Sequence, residues 1–144
     1  MTTVQNILRR KGHGVFSVSP EASVSVALEM MRDKDVGALV VMQEGTLVGI
    51  FSERDFARKV ILKRQTTFDA PVQDLMTSDV ITVTPDQTID ECMALMTDHR
   101  IRHLPVIENR KVVGVVSIGD AVAALNSEKE QLIVQLENYI SGAR

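Results

Sequence analysis

The sequence predicts an α/β protein built from two copies of one β-α-β-β-α unit, packed with pseudo-twofold symmetry and followed by a C-terminal helix. Three observations predict it. The chain repeats itself at a fixed offset of 65 residues. Each copy alternates strand-type and helix-type periodicity in the same order. The strand runs are too short, and too regularly separated by turn residues, to be anything longer.

The repeat comes first, because a missed repeat miscasts the whole fold. Val15-Phe16-Ser17-Val18-Ser19-Pro20 lies over Val80-Ile81-Thr82-Val83-Thr84-Pro85, and the register holds without a gap from residue 15 to residue 57. Of those 43 pairs, 11 are identical, and a further 12 exchange one apolar residue for another. Each copy opens on a half-buried strand, Val15 to Val18 or Val80 to Val83, closed by a proline. Ser23 and Thr88 then stand where a helix N-cap belongs, and Thr88 has Glu91 three residues on, a capping box. The helices carry Val24, Ala27, Leu28 and Met31, or Ile89, Cys92, Met93 and Met96, at the i, i+3, i+4, i+7 spacing of a core-facing stripe. A second strand follows (Ala38 to Met42; Leu104 to Ile107). A polar turn with Gly45 or Asn109 leads to a third (Leu47 to Phe51; Val112 to Val116), which predicts an antiparallel hairpin. Strand, helix, strand predicts a parallel, right-handed unit. A second helix starts near Asp55 and Asp120. One such unit of about 50 residues is too small to be comfortable alone, so the two copies are expected to bury their sheets and helices together.

The predicted boundaries are 4–58 for the first repeat, 59–71 for a linker, 72–126 for the second repeat and 127–144 for a C-terminal helix. Val4-Gln5-Asn6-Ile7-Leu8 has a pattern similar to that of Val72-Gln73-Asp74-Leu75-Met76, though its spacing to the following strand differs slightly. Ser127 to Ile140 reads as a charged helix with Ile133, Leu136 and Ile140 on one face. It suits packing on its own module, packing across a homodimer, or docking of a partner.

Composition narrows the function classes. Hydrophobic residues make up 44%, enough for a core, and the net charge of −3 argues against non-specific nucleic-acid binding. Aromatic content of 3% without tryptophan disfavours a stacking platform for single strands. A single cysteine cannot staple a fold and fits a reducing compartment. Met1 to Gly14 has no apolar signal-peptide core, and no run reaches the roughly 18 apolar residues of a spanning helix. The expectation is a cytoplasmic protein that does not engage membranes.

At this point the sequence resembles tandem CBS domains, also called a Bateman module. The resemblance rests on the two β-α-β-β-α copies. It rests also on Asp74-Leu75-Met76-Thr77 before a strand ending in Thr84-Pro85, on Arg102-His103-Leu104-Pro105-Val106, and on Val113-Gly114-Val115-Val116-Ser117-Ile118-Gly119-Asp120. It covers about residues 4 to 125. Ser52-Glu53-Arg54-Asp55 makes the chain especially similar to short bacterial stand-alone CBS pairs. The resemblance implies adenosine-type ligands (AMP, ATP, NAD or S-adenosylmethionine) bound in clefts between the repeats, a homodimer, and a regulatory role toward a protein that is unknown.

Chemistry concentrates at Ser52-x-x-Asp55 and Ser117-x-x-Asp120, each where a buried strand gives way to a helix. A carboxylate there accepts hydrogen bonds, and a ribose offers two adjacent hydroxyl donors, each charge-assisted bond being worth about 1.5–3 kcal/mol. Backbone N–H groups of a first helical turn face an anion. The bland alternative is that each pair only caps its helix. Carried over residue by residue, the resemblance implies that Ser52, Arg54 and Asp55 face Ile81, Arg102 and His103. Likewise Ser117, Gly119 and Asp120 would face Phe16, Gly37 and Ala38, with Ile81 and Phe16 as apolar walls for a base. The two sites are expected to differ. Arg102 and His103 align with Gly37 and Ala38, and Arg54 with Gly119, so the Asp55 site gathers cations, with Arg58, Lys59 and Arg100 near. Arg suits bidentate phosphate binding. The Asp120 site, with small residues there, would take a second nucleoside or the far half of NAD.

Other motifs carry less. Cys92 aligns with Ala27 on the core stripe and reads as a buried thiol. His99 and His103 are separated by a helix end, so they do not share a face. Gly12-His13-Gly14 lacks the third glycine of a dinucleotide loop and precedes a strand. No catalytic cofactor, metal site or enzymatic activity is expected. The competing readings are a structural dimer or adaptor without a physiological ligand, a nucleotide hydrolase, and a nucleic-acid binder using Arg54, Arg58, Lys59, Lys63 and Arg64.

Overall fold

A computed structural model describes residues 1–12, 14–62 and 68–141 of the chain. Lys63 and Arg64 of the basic set, and His13 of the glycine-flanked motif, lie outside the described residues. The elements are α1 (Val4–Lys11), β1 (Ser17–Val18), α2 (Val24–Lys34), β2 (Ala38–Gln43), β3 (Thr46–Ser52), α3 (Glu53–Phe56), α4 (Ile89–His99), β4 (His103–Glu108), β5 (Lys111–Ser117) and α5 (Ile118–Ile140). A π-helical turn, Ala57–Leu62, continues α3, and a 3₁₀ turn covers Val72–Asp74.

The chain divides into two compact units. One comprises Gly14–Ile81 with Asn109–Val112; the other comprises Met1–His13, Thr82–Glu108 and Val113–Arg144. In the first unit β1 pairs parallel with β2, and β2 pairs antiparallel with β3, giving sheet order β1-β2-β3. In the second, β4 pairs with β5, and the strand expected at Val80 to Val83 is reduced to a single parallel bridge, Val83 to Val106. That bridge is register-matched to the Val18–Val41 pair of the first repeat. Val83 still donates to Pro105 O at 3.0 Å and accepts from Ile107 N–H at 2.8 Å, so its backbone groups are satisfied without an extended ladder.

The repeated sequence produces repeated local chemistry. Ser23 and Thr88 are the N-caps of α2 and α4, and Thr88 with Glu91 forms the expected capping box. Both helices end on left-handed residues one register apart, Asp35 at φ 53° and Arg100 at φ 55°. Each hairpin turns through two residues at positive φ, Glu44 (51°) with Gly45 (79°), and Asn109 (52°) with Arg110 (65°), as a type I′ turn requires. The core of the first unit joins Val18, Val24, Ala27, Met31, Leu39, Val41 and Phe51 with Val72 and Leu75. In the second, Val4, Ile7 and Leu8 are buried, as are Ile89, Cys92, Met96, Leu104, Val106 and Val116.

The segments leading into the repeats are therefore exchanged. Val72–Leu75 packs in the unit of the first repeat, and α1 packs in the unit of the second, against α5. At an offset of 68 residues the two docking modes coincide bond for bond. Val4 N–H donates to Gln87 O at 2.8 Å where Val72 N–H donates to Ala22 O at 2.7 Å. Gln5 N–H donates to Pro85 O where Gln73 N–H donates to Pro20 O, at 2.8 and 3.0 Å. Ile89 N–H donates to Thr2 O where Val24 N–H donates to Ala70 O, at 3.1 and 2.9 Å. Glycines accept both segments: a Cβ on Gly114 would stand 2.5 Å from Leu8 Cδ2, and one on Gly49 2.5 Å from Met76 Sδ.

The helix expected near Asp120 and the charged helix from Ser127 form one element, α5, of 23 residues. No glycine or proline interrupts residues 120–140, so nothing breaks the ladder where the repeat ends. Among the described residues, no helix is long and apolar enough to cross a membrane.

Candidate functional site

Both Ser-x-x-Asp pairs stand at the junction of a strand and the helix that follows it. Ser52 closes β3 and caps α3; Ser117 closes β5 and caps α5. Each pair forms a reciprocal capping box. Asp55 N–H donates to Ser52 Oγ at 3.1 Å while Ser52 N–H donates to Asp55 Oδ2 at 3.0 Å. Asp120 N–H donates to Ser117 Oγ at 3.1 Å while Ser117 N–H donates to Asp120 Oδ2 at 2.9 Å. The capping role is therefore fully present, and it fixes both carboxylates in position.

The strand before each hairpin is joined to the same turn. Glu53 N–H donates to Gly37 O at 3.1 Å, and Ala38 is the register partner of Ser52. In the second unit, Ile118 N–H donates to Arg102 O at 2.8 Å. Within one unit, then, Ser52, Arg54 and Asp55 stand with Gly37 and Ala38. Within the other, Ser117, Gly119 and Asp120 stand with Arg102 and His103. Phe16 lies in the first unit, where its carbonyl accepts from Val40 N–H at 3.3 Å and Lys34 Nζ sits 5.3 Å from its ring centroid. Ile81 is half-buried at the end of that unit, and Arg58 and Arg102 are exposed.

The two carboxylates are held differently. At Asp55, Thr77 Oγ1 donates to Oδ1 at 3.0 Å and Ser52 Oγ donates to Oδ2 at 3.0 Å, so neutral hydroxyls meet both oxygens. Thr77 is placed by an antiparallel bridge to Ile50, with paired bonds of 2.8 and 2.9 Å. Lys59 Nζ donates to Leu75 O at 2.7 Å and Met76 O at 3.1 Å, beside this turn. At Asp120, Lys11 Nζ approaches Oδ2 to 2.6 Å and also donates to Val115 O at 2.9 Å. Burial pushes the Asp120 carboxyl up, but the Lys11 hydrogen bond, the Ser117 N–H, the Lys11 charge and the Ser117 hydroxyl outweigh it. The group titrates below the ordinary carboxylate range.

The second turn is thus not the neutral one expected from Gly37, Ala38 and Gly119. Its cation comes from α1, outside the register that relates the repeats, so aligning the copies gave no signal for Lys11. Thr77 carried a signal, since it ends the Asp74-Leu75-Met76-Thr77 phrase, but that phrase pointed to the family and not to the carboxylate.

Cys92, His99 and His103 are placed as the sequence suggests. Cys92 is fully buried, and burial with the nearby Glu91 charge pushes its thiol up. His99 ends α4 and His103 begins β4, with the left-handed Arg100 between them. Among the described residues, no group of three His, Cys, Asp or Glu side chains is placed to hold a metal ion.

A duplicated β-α-β-β-α fold with a capped Ser-x-x-Asp turn at the same place in each copy defines a tandem α/β module. The chain belongs to the CBS-domain family: the family model for the CBS domain matches residues 4–62 and 72–127. It is 38% identical over 150 residues to the mitochondrial CBS domain-containing protein CBSX3 of Arabidopsis thaliana, covering 98% of this chain and 73% of that protein. The crystal structure of the CBS-domain protein NE2398 superposes with a TM-score of 0.81 at 44% identity, covering 86% of this chain and 97% of that one. The CBS domain pair of MJ0100, crystallised with 5′-methylthioadenosine and S-adenosyl-L-methionine, superposes with a TM-score of 0.78 at 25% identity, covering 89% and 98%.

Proposed function

We propose that this chain is a nucleotide-sensing regulatory module. It binds adenosine-type ligands through Ser52-x-x-Asp55 and Ser117-x-x-Asp120 and carries out no chemistry on them. The observation that carries the reading is the register-matched pair of turns, each presenting a carboxylate already fixed by its own helix. A fixed carboxylate loses little freedom on binding the paired hydroxyls of a ribose. The complex of the MJ0100 pair with two adenosine derivatives supports the ligand class. Each turn is proposed to serve a cleft between the repeats, with Phe16 and Ile81 as walls and Arg54, Arg58, Arg102 and His103 as the cationic end. AMP and NAD are the leading ligands; ATP and S-adenosylmethionine share the nucleoside. Binding shifts the population of conformers, and a regulated partner reads the shift.

The test is mass spectrometry of small molecules released by denaturing the purified protein, followed by thermal shift with AMP, ATP, NAD and S-adenosylmethionine. A ligand at about 100 times its dissociation constant adds roughly 2.7 kcal/mol of stability. No co-purifying nucleotide and no shift with any of the four would replace this reading with the second one, a dimerisation or adaptor module. That second reading is favoured by α5, where Leu132, Ile133, Leu136, Tyr139 and Ile140 are all more than half exposed.

A further inference from the structure

Lys11 and Asp120 form an ion pair at the candidate ligand turn, and the pair is only partly withdrawn from water: the two side chains are 37% and 22% exposed. It borders an open groove between α1 and α5, whose wall also carries Arg10 and Asn6. The ammonium therefore has room to move without unfolding α1. It also has a second anchor, Val115 O, on the strand that leads into the turn. At Asp55 the donor to Oδ1 is instead the neutral hydroxyl of Thr77.

We propose that Lys11 is a built-in competitor for the Asp120 carboxylate that makes this site select phosphate-bearing nucleotides over nucleosides. The inference rests on the reading of Asp120 as a ribose-binding carboxylate. A ribose diol must donate to the same carboxylate that the ammonium occupies. A neutral nucleoside that displaces Lys11 offers the ammonium no new anion, so its binding loses the ion pair. A nucleotide brings a phosphate, to which the freed ammonium turns, and the lost pair is replaced. Selectivity arises from the cost imposed on the wrong ligand as much as from attraction to the right one. The cost is modest: a partly exposed pair is worth up to about 1 kcal/mol, or roughly fivefold in affinity.

The experiment is titration calorimetry with adenosine and with AMP on Asp55→Ala protein, in which only the Asp120 site is left to read, with and without Lys11→Met. Methionine keeps the apolar stem of lysine and removes the charge; Lys11→Gln serves as a second variant, and thermal melting confirms that each is folded. The expected result is that adenosine binds about two- to fivefold more tightly without the ammonium while AMP binds less tightly. The salt dependence of AMP binding should weaken at the same time. Adenosine affinity that is unchanged or lowered by both substitutions would overturn the inference. Asp120→Ala in the same background separates this failure from that of the underlying reading. If it abolishes binding while the Lys11 variants do nothing, only the competitor role falls. If it changes nothing, or if Asp55→Ala protein binds neither ligand, both fall.

Discussion

The exchanged docking of α1 makes Leu8 the most informative position for stability. Leu8 is fully buried, and its Cδ2 occupies the place next to Gly114 that a side chain on β5 would need. Leu8→Ala removes the apolar atoms that close this contact and leaves a void, which costs about 2–5 kcal/mol in comparable cores. Gly114→Ala does the opposite. Gly114 has no positive φ to be relieved, and the added Cβ would sit 2.5 Å from Leu8 Cδ2, so about 1–3 kcal/mol of overpacking is expected. The two costs should not add, because the methyl of the second substitution enters the space vacated by the first. The double variant is expected to fall short of the sum by at least about 0.5 kcal/mol, the scale at which contacting residues couple. Urea denaturation of the four proteins, compared at constant m, gives the cycle directly. Additive losses, or a Leu8→Ala cost within about 0.5 kcal/mol of zero, would refute the placement of α1 on the second repeat.

Other outcomes follow from the same structure. The folded Asp120 carboxyl is held below its unfolded value, so its contribution is present above the ordinary carboxylate pKa and is lost as pH falls through the depressed one. The stability gap between wild type and Lys11→Met should accordingly be largest near neutrality, at no more than about 1 kcal/mol, and close at the acid end of a denaturation series. Arg110 adopts φ 65° in the turn where the first repeat has Gly45 at φ 79°. Arg110→Gly is therefore expected to raise stability and Gly45→Ala to lower it, each by about 1 kcal/mol in chemical denaturation. Cys92 is fully buried with its thiol pushed up, so a thiol reagent should modify it only at the rate of unfolding, and rapid labelling of native protein would contradict its burial.

Much of this architecture was legible because its causes are local. The caps at Ser23, Thr88, Ser52 and Ser117 need only a side-chain oxygen and a free N–H three residues on, and all four form. The helical stripes through Val24 and Ile89 announce themselves by spacing, and both bury the face they define. What the repeat register could not carry was non-local. Val4-Gln5-Asn6-Ile7-Leu8 and its counterpart are related by 68 residues instead of 65, and each docks in the unit of the other repeat, a choice set by backbone partners at residues 85–89 and 20–24. Lys11 reaches Asp120 across 109 residues of sequence, and no pattern of spacing encodes such a pair. The strand at Val80 to Val83 alternates correctly yet makes only one bridge, because alternation describes which face is buried and not how many ladder bonds a partner supplies.

Titration calorimetry with AMP on wild type, Asp55→Ala and Asp120→Ala bears most directly on the proposed binding role of the two turns. Two ligand-binding turns predict that each substitution removes one site or weakens it by about one to two orders of magnitude, at least one charge-assisted hydrogen bond of about 1.5–3 kcal/mol being lost. Unchanged affinity and stoichiometry in both variants would leave Asp55 and Asp120 as helix caps and nothing more.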